Sequence, residues 1–181
     1  MASYTSTIDS PCGPLLIVAN ADGELTHIEF LKAVTGSTVV DRLKADDIEV
    51  LHDTGHTGEI ESELKEYFAG ERMEFQVKLA AEGSPFQLQV WEELKLIPYG
   101  ETRNYGEIAK ALGQPGASRA VGAANGANPI PIVIPCHRVV GADGTLVGFG
   151  GGLKNKALLL AMERRYWPND DDDEQMLLNF E

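Results

Sequence analysis

Gly83-Ser84-Pro85 divides the chain more sharply than any other feature of its sequence. Glycine interrupts regular structure, and a capping serine followed by proline restarts it as a helix, because proline at the first helical position gives up an N–H that has no partner there. The charge balance changes at the same place. Residues 1–84 carry 6 Lys+Arg and 16 Asp+Glu, residues 85–168 carry 9 and 6, and residues 169–181 carry none and 6. An acidic unit (1–84), a mildly basic unit (85–168) and an acidic tail (169–181) follow, the run Asp170 to Glu174 reading as a solvated, mobile segment. The net charge of -13 argues against nucleic acid when taken alone, whereas its distribution leaves 85–168 able to meet phosphate.

With 43% hydrophobic residues over 181, the chain has enough apolar surface to bury a core, and no apolar run reaches the roughly 20 residues that span a bilayer. No basic patch precedes an apolar stretch in MASYTSTIDSP, so no secretory signal is read. Two cysteines, Cys12 and Cys136, exclude a disulfide scaffold, and a reducing cytoplasm is the expected compartment.

In the first unit, Thr5 to Ile8, Leu15 to Val18 and Leu25 to Phe30 are β-prone runs, the last two separated by the turn Asn20-Ala21-Asp22-Gly23. They predict a small antiparallel meander. Ile60, Leu64, Tyr67 and Phe68 recur at helical spacing between Glu59 and Phe68 and predict one covering helix that stops at Gly70. In the second unit, Ser84 and Gln87 form a capping box ahead of Phe86, Val90, Leu94 and Ile97. Asn104 and Glu107 form another ahead of Ile108, Ala109 and Leu112. Gly113-Gln114-Pro115-Gly116 then separates this helix from a second, Ala117 to about Ala127, which gives the pair the form of a helix-turn-helix. Ala117, Ser118, Ala120, Gly122, Ala123, Ala124 and Gly126 make that second helix small-sided, with Arg119 its only charge. Such a helix allows close approach, either of a neighbouring helix or of a nucleic-acid backbone. The prolines of Ile130-Pro131-Ile132-Val133-Ile134 bar this apolar stretch from the centre of a sheet, and Gly148 to Gly152 leads into a last helix, Leu153 to Trp167. The class expected is α+β.

Cys136 is the residue whose surroundings suit reaction. A thiol becomes a nucleophile when a cation or imidazole lowers its pKa, and His137 and Arg138 follow it directly. The alternative is a buried cysteine acting as a small hydrophobe, and on an extended segment neighbours point to opposite faces, so His137 would reach Cys136 only through a water or a bend. Cys12 reads as a filler. His52-Asp53-Thr54-Gly55-His56 has a spacing seen in zinc sites, yet only Cys12 and His27 remain as further strong ligands, so a polar loop and no metal are expected. The glycine run before Lys154 and Lys156 could cradle a phosphate but matches no nucleotide fingerprint, and a turn allowing close approach is the better reading.

Pro135-Cys136-His137-Arg138-Val139, after Ile-Val-Ile and before Gly141-Ala142-Asp143-Gly144, resembles the active-site motif of the O6-alkylguanine-DNA alkyltransferases. Further segments resemble the family in order: Phe86-Gln87-x-x-Val90-Trp91, Ile97-Pro98-Tyr99-Gly100-Glu101-Thr102, Tyr105-Gly106-Glu107-Ile108-Ala109, Arg119-Ala120-Val121-Gly122, Asn125-Gly126-Ala127-Asn128-Pro129 and Gly151-Gly152-Leu153. Ser10-Pro11-x-Gly13-Pro14-Leu15 is similar to its N-terminal domain, so coverage runs from about Thr5 to Tyr166.

The resemblance implies an N-terminal ribonuclease H-like sheet domain (1–84) and a mainly helical C-terminal domain (85–168) carrying the helix-turn-helix and the alkyl acceptor. It implies a monomer that binds double-stranded DNA in the minor groove, flips out the damaged base, and transfers the alkyl group of O6-alkylguanine, and of O4-alkylthymine, irreversibly to Cys136 without a cofactor. By motif, His137 and Glu163 resemble the water-linked relay that deprotonates the thiol, Asn128 the residue that orders it, and Tyr105 the group that protonates the leaving guanine. Arg119 resembles the finger that fills the vacated stack, with Ala120, Gly122 and Ala123 on the DNA-facing helix. Cys136, Val139, Phe149 and Gly150 correspond to the groups around the base, Phe149 standing where many members have tyrosine. Two rival readings remain: a cysteine hydrolase, which would turn over, and a non-enzymatic damage sensor, which the presence of Cys136 opposes.

Overall fold

In the computed structural model, residues 2–167 are described, and the acidic tail lies outside them. The first three strands, β1 (Ala2–Ile8), β2 (Leu15–Ala19) and β3 (Leu25–Phe30), form the expected antiparallel meander. The chain then makes two elements that the sequence reading passed over, helix α1 (Val39–Ala45) and strand β4 (Glu49–His52). β4 joins β1 in parallel, so the sheet is mixed, in the order β3-β2-β1-β4. α1 begins at a capping box in which the Thr38 hydroxyl accepts from the Asp41 N–H while the Asp41 carboxylate accepts from that of Thr38. It places Val39 against Leu16 and Val18 on one face of the sheet. This explains why every residue of β2 is buried: α1 covers one face and α2 (Thr54–Phe68) the other.

α2 starts five residues earlier than periodicity indicated. His52 to His56 is not a loop: Asp53 is the N-cap, its carboxylate accepting from the Gly55 N–H at 2.8 Å, and His56 Nδ1 lies 2.7 Å from the same carboxylate while its ring stacks on Tyr4. Among the described residues, no group of three or more His, Cys, Asp or Glu converges as a metal site.

The C-terminal half follows the capping signals. α3 (Pro85–Lys95) and α4 (Tyr105–Ala111) each start at the predicted capping box, and α5 (Ser118–Gly126) completes the helix-turn-helix. Trp91 of α3 donates its indole N–H to the Ala124 carbonyl at 2.8 Å, which fixes α5 against α3. β5 (Arg103–Asn104) pairs in parallel with β6 (Val139–Val140), tying the entry of α4 to the segment that carries the reactive motif. α6 (Leu153–Tyr166), the last helix among the described residues, packs against that segment. One apolar core runs through both halves, from Ile17 and Leu64 to Leu94 and Ile108, each fully buried and worth on the order of 1.5–3 kcal/mol. No helix among the described residues is long and apolar enough to cross a membrane.

Candidate active site

Residues 130–134 do not form a strand. The Ile134 N–H donates back to the Ile130 carbonyl at 2.9 Å, and Ile132 is held at φ 76°, a conformation that a β-branched side chain rarely accepts. Ile132 is buried, so packing holds the strained turn in place. Asn128 braces it from before: its side-chain N–H donates to the Ile134 carbonyl at 2.8 Å, and its oxygen accepts from the Ile130 N–H at 3.0 Å. Cys136, His137 and Arg138 follow as a single 3-10 turn rather than an extended segment. That bend supplies the route by which adjacent residues serve one site.

Cys136 is only 4% exposed and lines a cleft of about 480 Å³, together with Asn128, Phe149 and Gly150 from the C-terminal half and His27 and Phe30 from the sheet. The volume lies within the range of small-molecule sites. Phe149 packs edge-on against Phe30, with ring centroids 5.5 Å apart, so this cleft wall is shared between the halves. Gly151, behind it, is buried at a position where a Cβ would meet the Phe149 and Phe30 rings at 2.7–2.8 Å. The small residue is therefore required for close packing at the cleft wall. Burial pushes the Cys136 thiol up to about 11, although Asn128, the Lys156 ammonium and the backbone N–H groups of residues 136 and 137 pull the other way. The sequence led one to expect a lowered pKa; the structure shows a thiol that is protonated at rest.

Behind the thiol lies a buried polar cluster centred on Glu163, which is fully enclosed. Its Oε1 accepts from His137 Nε2 at 2.7 Å, Tyr67 OH at 2.7 Å and Arg138 Nη2 at 2.8 Å. Its Oε2 accepts from Arg138 Nε at 2.9 Å and the Gly100 N–H at 3.3 Å. Burial would raise this carboxyl, but His137 and Arg138 outweigh that effect and hold it well below the usual carboxylate range. His137 is driven the opposite way, burial lowering its pKa despite the adjacent carboxylate, which leaves a neutral imidazole. Since an ionised Glu163 can only accept, the ring proton sits on Nε2 and Nδ1 carries a free lone pair. Nδ1 is buried and has no partner among the described residues. The site therefore presents a base, without a donor to fill its lone pair among the described residues, next in chain to a protonated thiol.

The remaining expected residues are distributed around this centre. Tyr105 opens α4, its hydroxyl pKa is raised by burial and, secondarily, by Cys136, and it donates that hydroxyl to the Val147 carbonyl at 3.0 Å. Arg119, Ala120 and Ala123 are exposed on α5, whereas Gly122 is half-buried with the Tyr105 ring 3.8 Å from where its Cβ would be. The C-terminal end of α5, not these residues, reaches the cleft, through Asn125 and Gly126. The Val139 side chain is fully buried in β6 and does not line the cleft, so only its backbone could face a base.

Three partners were not foreseen. Tyr67 had the spacing of a core residue. Adjacency makes Arg138 a cation for Cys136, yet it grips Glu163 and donates to the Ile97 carbonyl at 2.7 Å. Lys156, considered for phosphate, is fully buried and donates instead to the Val147 carbonyl at 2.9 Å, tying down the loop that ends at Phe149. Cys12 fits its reading as a filler: it is buried, and its thiol is pushed up to about 12 by burial.

Fold and site together define a cysteine-centred protein whose reactive turn is packed beside a helix-turn-helix and backed by a buried His–Glu pair. Residues 85–165 match the DNA-binding domain of 6-O-methylguanine DNA methyltransferase, and residues 3–81 match its ribonuclease-like domain. The chain belongs to the 6-O-methylguanine DNA methyltransferase family. It is 50% identical over 167 residues to the methylated-DNA–protein-cysteine methyltransferase of Mycolicibacterium paratuberculosis, covering 90% of this chain and 93% of the relative. The corresponding protein of Methanosarcina acetivorans is 47% identical over 160 residues, with coverage of 88% and 97%. The crystal structure of Mycobacterium tuberculosis OGT in complex with DNA superposes with a TM-score of 0.79 at 46% identity, covering 92% of this chain and 94% of that one.

Proposed function

We propose that this protein repairs DNA by moving the alkyl group of O6-alkylguanine, and of O4-alkylthymine, to Cys136 in one irreversible step. The observation that carries the reading is the cleft-lining thiol of Cys136, adjacent to a neutral His137 whose other nitrogen is fixed by Glu163. In the reaction the Sγ–carbon bond forms as the carbon–O6 bond breaks. The thiol proton leaves toward Nδ1 of His137 through an intervening water, and the departing guanine takes up a proton with the help of the Tyr105 hydroxyl. The Tyr105 hydroxyl must give up the Val147 carbonyl to do so. No cofactor enters the balance, and the thioether product leaves no route back to the thiol.

Double-stranded DNA is the partner on this reading. The exposed small residues Ala120 and Ala123 of α5 suit minor-groove approach, Arg119 fills the vacated base stack, and the backbones of Cys136, Val139 and Gly150 read the flipped base in the cleft. On this reading the functional division falls at residue 84, which family matches over residues 3–81 and 85–165 support. The protein acts as a monomer at DNA in the cytoplasm.

The test is intact-mass measurement after incubation with a duplex containing O6-methylguanine, followed by peptide mapping. One methyl group per protein, on Cys136 and none on Cys12, is expected. Continued turnover would establish the hydrolase reading instead, and a methyl on Cys12 would overturn the assignment of the acceptor.

A further inference from the structure

The hydrogen bond from Tyr67 to Glu163 joins residues 96 positions apart and brings a side chain of the N-terminal half into the buried cluster behind the thiol. Tyr67 is fully buried on the same face of α2 as Ile60 and Leu64, and a phenylalanine would serve that apolar packing equally well. The hydroxyl therefore has another use. It is 2.7 Å from Oε1, the oxygen that also accepts from His137. Two donors on one oxygen share its charge, so what Tyr67 takes is withdrawn from the imidazole.

We propose that Tyr67 is a positioning residue for the transfer reaction, its hydroxyl setting how strongly Glu163 holds the His137 imidazole and so the pH at which that imidazole can accept a proton. The inference rests on the alkyl-transfer reading given above. The charged groups acting on the imidazole are Glu163 and Lys156 of α6 and Arg138 of its own turn; Tyr67 of α2 reaches it through Glu163, with Tyr99 of the loop after α3 packed edge-on to Tyr67, ring centroids 6.1 Å apart. Arg138 and Lys156 oppose protonation of His137 and only Glu163 favours it. Weakening a competitor for Glu163 therefore favours the imidazolium, and strengthening one disfavours it. The sign follows directly: without the Tyr67 hydroxyl, His137 becomes protonated at higher pH, and the acid limb of the transfer rate moves up.

Tyr67→Phe should shift the acid limb of the rate with free O6-benzylguanine to higher pH and slow the reaction below that limb by roughly three- to tenfold, a part of what one hydrogen bond to a charged acceptor is worth. Duplex binding by the unreacted protein should be unchanged, since Tyr67 lies in the core. The His137 ring signals in NMR should titrate at correspondingly higher pH, a readout that does not depend on transfer. Replacing Tyr67 with 3,5-difluorotyrosine keeps the ring, makes the hydroxyl a stronger donor, and should move both profiles the opposite way, so the idea stays testable if the phenylalanine variant folds poorly. Wild-type profiles for both variants would overturn the proposal. A His137 shift in a protein that transfers nothing would uphold the coupling while removing the reaction it serves; an unshifted His137 in a protein that transfers normally would leave the reaction and remove the role of Tyr67.

Discussion

Arg138→Met tests the energetics of the buried cluster most directly. The substitution keeps much of the apolar stem and removes three donors: two to Glu163, at 2.8 and 2.9 Å, and one to the Ile97 carbonyl, at 2.7 Å. Glu163 keeps His137, Tyr67 and the Gly100 N–H but loses its one permanent cation, and a buried pair broken on one side costs about 3–5 kcal/mol. The orphaned Ile97 carbonyl contributes to the same loss. Against a typical domain stability of about 5–15 kcal/mol, the variant should remain folded with a lowered urea midpoint.

The pH dependence has a definite sign. In the wild type, Glu163 is held below its unfolded range, so between its depressed folded value and that range the unfolded chain binds the extra proton and stability rises with pH. Its contribution is complete above the ordinary carboxylate value of about 4.3 and is lost progressively as pH falls below it. Arg138→Met raises the folded carboxyl toward the unfolded value and should flatten that slope. The assay is urea unfolding at neutral pH and at about pH 3–4, below the ordinary carboxylate value, for wild type, Arg138→Met, Glu163→Gln and the two combined. The double variant removes both charges and should recover part of the loss. A single-variant loss below about 1 kcal/mol, or a double variant no more stable than additivity predicts, would refute the view that Glu163 is a buried charge dependent on Arg138.

Two further outcomes concern DNA. Arg119→Ala should slow repair of duplex substrate roughly tenfold or more while leaving reaction with free O6-benzylguanine nearly unchanged, because flipping costs a few kcal/mol only where there is a stack to leave; equal losses on both substrates would end the finger role. Duplex affinity should fall only shallowly with salt, since residues 85–168 hold 9 basic residues and Arg138 and Lys156 are buried among them, so a log–log slope near about -10 would show that the contact surface is misplaced.

What the sequence revealed of the fold was whatever is written locally. The capping boxes at Ser84 and Asn104 and the break at Gly113 are each decided by a few adjacent residues, and the helix-turn-helix formed where they indicated. α1 has an equally local signal, Thr38 with Asp41, but its short apolar face covers only Leu16 and Val18 and leaves little periodicity to see. β4 is mostly exposed and only half apolar, and it is a strand only because β1 offers it a parallel edge. The start of α2 was hidden by Gly55 and Gly58, which argue for a loop until Asp53 is seen to cap them.

The site divides the same way. Cys136 and His137 declare themselves by adjacency, and Glu163, Asn128, Tyr105 and Arg119 were placed by resemblance to a family. Tyr67 could not be distinguished from a packing residue, because its periodicity is that of the core and its hydroxyl acts across 96 residues of chain. That long reach also accounts for why the two halves share one core. A carboxylate in a dry interior stays ionised only if its lone pairs are filled, and no single element of this fold can fill them. Glu163 draws its donors from α2, from the loop after α3 and from the reactive turn, so a rigid-body shift of the sheet domain away from the helical domain would strip the Tyr67 donor from Oε1. The single buried apolar cluster to which Leu64, Val90 and Leu94 all belong opposes that shift, and in this way the N-terminal half, which supplies no reacting atom, still bears on the state of the imidazole.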